Sequence, residues 1–148
     1  MTQAQMVPPR VQMVDGGGFV TPSWYRFLAA LFADSPGQRD MRRIDKRFAT
    51  VVLTGSAAAV YTAPFNTRAV VGAAVLCNTT AGAVNVDVWL VPSGQAAGNG
   101  NAVLRSVSIA ANASRAVPEI VGQVIEGEGS LQAAGSGVTF IVSGEELA

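Results

Sequence analysis

The side chains best suited to chemistry are four carboxylates in the second half of the chain. They are Asp87, Glu119, Glu126 and Glu128. Paired carboxylates can hydrolyse glycosidic bonds, and carboxylate oxygens are ligands that Ca²⁺ prefers. Glu126 and Glu128 flank Gly127 in a segment typical of a turn, where acidic side chains are solvated. The pattern therefore favours surface charges over a catalytic pair or a Ca²⁺ site.

The other residue types on which enzymes depend are scarce. The chain has no histidine, which is the commonest general base and metal ligand. Its one cysteine, Cys77, follows Val75 and Leu76, so it is predicted to be a buried strand residue and can form no intrachain disulfide. Its one lysine, Lys46, lies in a charged stretch that does not favour Schiff-base chemistry. There is no phosphate-binding loop, so the sequence predicts no enzyme, no cofactor and no metal site.

Composition indicates a protein that buries surface against other chains. Hydrophobic residues make up 49% and charged residues 14% of the 148 residues, whereas soluble domains usually carry about 25% charged residues. Such a surface favours association with copies of the chain or with partners, and a neutral polar surface is the alternative. The net charge is zero, yet residues 1–48 hold seven basic and four acidic side chains and residues 49–148 hold three and six. This asymmetry is too small to predict nucleic-acid binding.

No segment is predicted to cross a membrane. The apolar runs are interrupted before the roughly 20 residues that a bilayer requires. The first residues also lack the basic and apolar regions of a secretory signal. We therefore expect a chain that is made and assembled in a cytoplasm.

Residues 1–48 are predicted to form an N-terminal anchoring arm. The first 13 residues include two adjacent prolines and are expected to be extended, and residues 15–18 are expected to form a turn. Thr21 is the predicted N-cap of a helix whose first residue is Pro22. The Ser-Pro-Gly sequence at residues 35–37 is expected to end this helix.

The predicted helix carries a stripe of large apolar side chains. Trp24, Phe27 and Leu28 recur at the spacing of one helical face, and two further members follow one turn later. Because a helix of about 12 residues is marginal alone, the stripe is expected to dock, either on its own domain or on a neighbouring subunit. The residues predicted to anchor the chain are Trp24, Tyr25, Phe27, Leu28, Leu31 and Phe32.

A basic stretch follows at residues 39–48. Met41, Ile44 and Phe48 recur there at a spacing that also fits a helix. We therefore expect a second short amphipathic helix or turn, whose basic face is solvated and does not contact nucleic acid.

Residues 49–148 are predicted to form a β domain. Short runs rich in β-branched residues alternate with clusters of Gly, Asn, Ser and Pro, and no long helical pattern separates them. The expected fold is mainly β, an antiparallel β-sandwich or jelly roll preceded by the arm and its short amphipathic helix. The predicted strands are residues 49–53, 59–63, 69–78, 84–91, 101–110, 119–125, 130–134 and 138–144.

Residues 58–146 resemble a β-sandwich module that recurs in virion proteins of tailed phages and prophages. The features that carry the resemblance are mostly turns and strand edges. They are Val60-Tyr61-Thr62-Ala63-Pro64 with Asn66-Thr67, Leu76-Cys77-Asn78-Thr79-Thr80, Val86-Asp87-Val88-Trp89-Leu90-Val91-Pro92-Ser93-Gly94, Asn101-Ala102-Val103 and Val142-Ser143-Gly144-Glu145-Glu146.

The start of the chain is similar to phage fibre and tail-accessory proteins, which open with an acidic-glycine turn before an aromatic helix. The matching segments are Val14-Asp15-Gly16 and Thr21-Pro22-Ser23-Trp24-Tyr25-Arg26-Phe27. The two resemblances together cover about three quarters of the chain. They bring no catalytic residues with them.

The resemblance implies a virion component, commonly homotrimeric, whose N-terminal segment binds the particle and whose β domain projects from it. The expected function is a short tail or neck fibre, or a fibre-attachment component, that aids host attachment. Its expected partners are portal, adaptor, tail or capsid proteins. Because the chain is short and has no coiled coil or repeat array, a capsid decoration protein is the alternative. A carbohydrate-binding or hydrolytic β-sandwich is the third hypothesis.

Overall fold

The computed structural model describes residues 11–33 and 43–148. The chain separates into two compact units, Met1–Asp40 and Met41–Ala148. The first unit contains helix α1, Pro22–Ala33, which starts at the predicted residue. The strands of the second unit are β1 (Arg43–Val52), β2 (Ala58–Thr62), β3 (Arg68–Asn78), β4 (Val84–Val91), β5 (Ala102–Ile109), β6 (Ser114–Ala116), β7 (Val124–Ile125), β8 (Ser130–Ala134) and β9 (Val138–Leu147).

These strands form two antiparallel sheets. One sheet has the order β1-β9-β3-β6, with the short β7 beside β3, and the other has the order β2-β8-β4-β5. Setting β7 aside, each sheet has four strands, and the chain passes between the sheets in the order of a jelly roll. The prediction of a mainly β, antiparallel sandwich is confirmed.

The core lies between the two sheets and follows from strand alternation. Along β9, Val138, Phe140 and Val142 are fully buried, whereas Thr139 and Ile141 point outward. β3, β4 and β8 contribute further buried aliphatic side chains from both sheets. Leu76, Val88 and Leu131 are examples, and each has no exposed surface.

A polar residue in the core joins several chain segments. Asn78, at the end of β3, is fully buried. Its side-chain amide donates to the carbonyls of Gly82 (2.8 Å) and Ile109 (3.0 Å), and its side-chain oxygen accepts from the N–H of Thr80 at 2.9 Å. Because its hydrogen bonds are made, burial of this amide fixes the turn before β4 against the end of β5.

A smaller apolar cluster lies on the outer face of the second sheet. Trp89, Val91 and Ala134 are buried there, on β4 and β8. Ala97, in the connection between β4 and β5, packs against them. This connection, residues 92–101, therefore covers part of the outer face of the β2-β8-β4-β5 sheet.

Three sequence expectations are wrong in this unit. Residues 43–48 are the first part of β1 and not a helix, so the sandwich begins before residue 49; residues 39–42 lie outside the described residues. The strand expected over residues 119–125 is a 3₁₀ turn, Pro118–Ile120, followed by β7. β6 lies between the strands predicted at residues 101–110 and 119–125, where no strand was expected. All three concern short or edge strands, whose pairing is set by distant residues.

Candidate interaction surfaces

A small hairpin precedes α1 in the described part of the first unit. Val14 and Val20 form a single antiparallel bridge. The Asp15 carboxylate accepts hydrogen bonds from the N–H groups of Gly17 at 2.9 Å and Phe19 at 3.0 Å. The glycine-rich turn expected from the sequence is thus confirmed, and the acidic side chain organises it.

The hairpin is bonded to the start of α1. The carbonyl of Thr21 accepts the first helical hydrogen bond from Tyr25 N–H at 2.9 Å, as expected of an N-cap residue. The Thr21 hydroxyl, however, donates to the Gln12 carbonyl at 3.0 Å. The Trp24 indole N–H donates to the Val11 carbonyl at 2.8 Å. The hairpin and the first turn of the helix therefore form one local structure.

The predicted anchoring residues differ in exposure. Trp24, Phe27 and Leu28 are half-buried, and the rings of Trp24 and Phe27 meet edge to face with centroids 5.5 Å apart. Tyr25 lies off this stripe and is 69% exposed. The other two side chains predicted to anchor the chain lie outside the described ones; they are Leu31 and Phe32.

The first unit exposes further apolar side chains that the helical pattern did not predict. Phe19 is 73% exposed, which makes it the most exposed large apolar residue of the described chain. Together with Tyr25 these residues form what we call the arm surface; its members are Val11, Met13, Val14, Phe19, Val20 and Tyr25. Apolar residues on both sides of an Asp-Gly turn are a hairpin signal, and this signal could have located them.

Three of the four carboxylates singled out by the sequence form ion pairs with arginines. The pairs are Asp87 with Arg105 at 3.3 Å, Glu119 with Arg115 at 2.5 Å and Glu126 with Arg68 at 3.8 Å. The fourth, Glu128, occupies a turn with a φ of +65°. In residues 11–33 and 43–148 no three acidic, His or Cys side chains are grouped so as to hold a metal ion. The arrangement fits surface charges.

The aromatic side chains of the predicted β domain are mostly internal. Tyr61, Trp89 and Phe140 are buried, and Phe65, in the turn after β2, is 72% exposed. A carbohydrate-binding platform requires aromatic rings at the surface. A single exposed ring gives such a platform little support.

An ionic cluster at one end of the sandwich consists of the buried Tyr61 and Glu146 and the exposed Lys46. The Tyr61 hydroxyl on β2 donates to Glu146 Oε1 on β9 at 2.6 Å, and Lys46 Nζ on β1 donates to the same oxygen at 2.9 Å. The Phe48 ring stacks on Tyr61 with centroids 4.2 Å apart. The hydrogen bond from Tyr61, assisted by Lys46, lowers the pKa of Glu146, whereas burial raises the pKa of Tyr61. The cluster joins both sheets, and no local sequence pattern predicts it.

Cys77 does not lie in the core. It is half-buried on the outward side of β3, between Leu76 and Asn78, which are both fully buried. The expectation of a buried cysteine is therefore wrong, because the apolar run contains two alternating faces.

A small apolar pocket lies where β4 ends. Its volume is about 170 Å³, and its lining includes Leu90, Pro92, Val124 and Ile125. A pocket of this size and lining can hold one small apolar group. The polar side chains in its lining are Ser93, Glu126 and Ser130, and the rest of the lining is apolar or glycine.

No helix in the described part of the chain is both long and apolar enough to span a membrane. The chain matches no protein-family model, no curated protein and no solved structure at a significant level of similarity.

Proposed function

We propose that the chain is a structural component of a tailed-phage particle. In this proposal it is a short tail or neck fibre, or a fibre-attachment component, that is held on the particle by its N-terminal segment and aids host attachment. The observation that carries the proposal is the difference between the surfaces of the two units. One is a jelly roll with a filled core, and the other presents the arm surface.

The arm surface supports docking to a larger assembly. Its two aromatic rings, Phe19 and Tyr25, are each more than two-thirds exposed. Burying one such ring against a partner contributes roughly 2 kcal/mol. The surrounding aliphatic side chains add to this, so a portal, adaptor or tail protein with a complementary apolar groove would hold the unit firmly.

The sandwich supports a structural role. Three of its four conspicuous carboxylates are paired with arginines, and the rings of Tyr61, Trp89 and Phe140 are buried. Jelly rolls occur in viral capsid proteins and also in lectins, so the topology agrees with the proposal, which rests on the arm surface. The low charged fraction of 14% favours a homo-oligomer, which we propose to be a trimer that binds other virion proteins and neither nucleic acid nor membrane.

A capsid decoration protein is the second candidate function. It is favoured by the absence, within residues 43–148, of any element that resembles a shaft. These residues instead form one sandwich with short connections. A compact domain of this kind can bind a capsid lattice directly.

Locating the chain on purified particles tests both functions. We expect mass spectrometry to detect it in particles and cryo-electron microscopy to place its jelly roll at the tail or neck. Density at three-fold or quasi-three-fold positions of the capsid would show that the chain decorates the capsid and is not a fibre component. Absence of the chain from purified particles would overturn both.

A further inference from the structure

The connection between β4 and β5 contains the only asparagine of the chain that is followed by glycine. Asn99 precedes Gly100, and both are exposed. The backbone nitrogen that follows an asparagine can attack the side-chain amide carbon and close a five-membered ring. Glycine in the second position favours this attack, because it has no side chain to obstruct the approach and its backbone rotates freely. The pair is therefore a candidate for a covalent change that requires no enzyme.

The backbone at this pair has room to rotate. Asn99–Asn101 form a short 3₁₀ turn, in which the hydrogen bond from the Asn101 N–H to the Gly98 carbonyl is long, at 3.3 Å. A Cβ added at Gly98 or at Gly100 would meet nothing within 4 Å. Because Asn99 lies between these two glycines, the conformation needed for attack is reached at low cost.

The flanks of the pair are held in place. The Gly98 N–H donates to Asn101 Oδ1 at 2.9 Å, and Asn101 Nδ2 donates to the Ala96 carbonyl at 2.9 Å. Ala97 packs on the outer cluster that contains Trp89. The motion required for the reaction is therefore confined to the tip of the connection, and the sandwich stays folded.

The side-chain oxygen of Asn99 is bonded to a cation. Arg105 Nη1 donates to Asn99 Oδ1 at 2.8 Å, and Arg105 Nε lies 3.3 Å from Asp87 Oδ1. When a nitrogen attacks the amide carbon, negative charge develops on Asn99 Oδ1. A guanidinium already bonded to that oxygen stabilises the charge, as the donors of an oxyanion hole do. Arg105 would also pair with a carboxylate formed at this position.

We propose that Asn99 is a site of spontaneous deamidation assisted by Arg105. The Gly100 nitrogen bonds to Asn99 Cγ, the bond between Cγ and the amide nitrogen breaks, and ammonia leaves with the proton of the Gly100 N–H. Water then opens the succinimide ring, at one carbonyl to give aspartate and at the other to give isoaspartate. Both products carry a carboxylate where the amide was neutral, so the net charge of the chain changes from zero to −1.

The test follows individual asparagines of the full chain during storage at mildly alkaline pH, where base removes the proton of the attacking N–H. Peptide mapping by mass spectrometry detects the change from amide to acid. The control within the chain is Asn66, which is exposed but precedes the β-branched Thr67. We expect Asn99 to deamidate about tenfold faster than Asn66, and Gly100→Ala to slow Asn99 about tenfold. Equal rates at the two asparagines, or an unchanged rate in Gly100→Ala, would overturn the inference.

A second pair of variants tests the assistance by Arg105. Arg105→Ala should slow deamidation of Asn99 about tenfold, since the donor to Oδ1 is lost. Arg68→Ala is the matched control, because its side chain is 54% exposed against 55% for Arg105, and it also pairs with a carboxylate. In denaturant, where the contact with Oδ1 is broken, Arg105→Ala and the unchanged chain should react at the same rate. A folded Arg105→Ala variant that deamidates as fast as the unchanged chain, or faster, would overturn the role of Arg105.

Discussion

Glu146 is the least exposed charged residue in the described part of the chain, at 9%. A carboxylate leaves water at a high cost unless hydrogen bonds and opposite charge compensate it. Here Tyr61 and Lys46 both donate to one carboxylate oxygen. These three residues come from β2, β1 and β9, so the cluster holds the first strand and both sheets together.

Tyr61→Phe tests this cluster. A hydrogen bond to a carboxylate contributes about 1.5–3 kcal/mol, so we expect a loss of that size in the free energy of unfolding at neutral pH. The matched control is Tyr25→Phe in the other unit, where the tyrosine is exposed and no change is expected. Chemical denaturation measures both variants.

The pH dependence of Tyr61→Phe follows from the lowered pKa of Glu146. A carboxyl with a lowered folded pKa stabilises the fold above its unfolded pKa of about 4.3, and this stability is lost as the pH falls through the folded value. Since Tyr61 is the main cause of the lowering, the variant should lose less stability than the unchanged chain on acidification from neutral pH to about pH 3. Equal acid losses in the two proteins would contradict this role of Tyr61.

The carboxylates singled out from the sequence do not include Glu146, and the reason is physical. Acidic residues near glycine or arginine are conspicuous in a linear pattern, as Glu126 beside Gly127 shows. Tyr61 and Glu146 are 85 positions apart and meet only when β2 and β9 close the same end of the sandwich. A single sequence contains no signal for such a contact.

At the scale of elements, strands with clear alternation could be predicted closely. β4 and β8 have the bounds that the sequence indicated, because the flanking turns are rich in Gly, Pro and Asn. The start of β1 could not be predicted, since Ile44 and Phe48 fit the spacing of a helix as well as that of a strand. Its pairing with β9, nearly one hundred residues away, decides the structure.

Gly144→Ala tests the pairing of β9 with its neighbours. Gly144 pairs with Val71 beside a bulge in β3, and a Cβ at Gly144 would collide with the Val70 carbonyl and approach the Phe48 ring to 2.7 Å. Because backbone must move to relieve the first contact, we expect the free energy of unfolding to fall by about 3 kcal/mol. Thermal unfolding measures it.

The control for this substitution is Gly55→Ala, in the turn between β1 and β2. A Cβ at Gly55 meets nothing within 4 Å, so the substitution should leave stability unchanged or raise it slightly. If the two alanine variants unfold at the same temperature, the close approach at Gly144 does not constrain the sheet.

At the scale of the whole molecule, the division into an arm and a β domain followed from a change of pattern along the chain. Helical periodicity before residue 34 gives way to repeated short strands and turns. Residues 43–48 were expected to lie in the arm, yet they form the start of β1, because their charged pattern also fits a surface helix. Of the arm surface only Tyr25 could be predicted, since its other members depend on which apolar residues the fold leaves uncovered.

Incorporation into purified particles measures whether the arm surface attaches the chain to a virus particle. The experiment compares Phe19→Ser and Tyr25→Ser with Phe65→Ser, which removes an equally exposed ring, 72%, from the sandwich. We expect each arm variant to lower the number of copies per purified particle about tenfold, with unchanged unfolding of the sandwich, because roughly 2 kcal/mol of apolar contact is lost. Phe65→Ser should be incorporated fully. Full incorporation of both arm variants, or an equal loss with Phe65→Ser, would contradict the account.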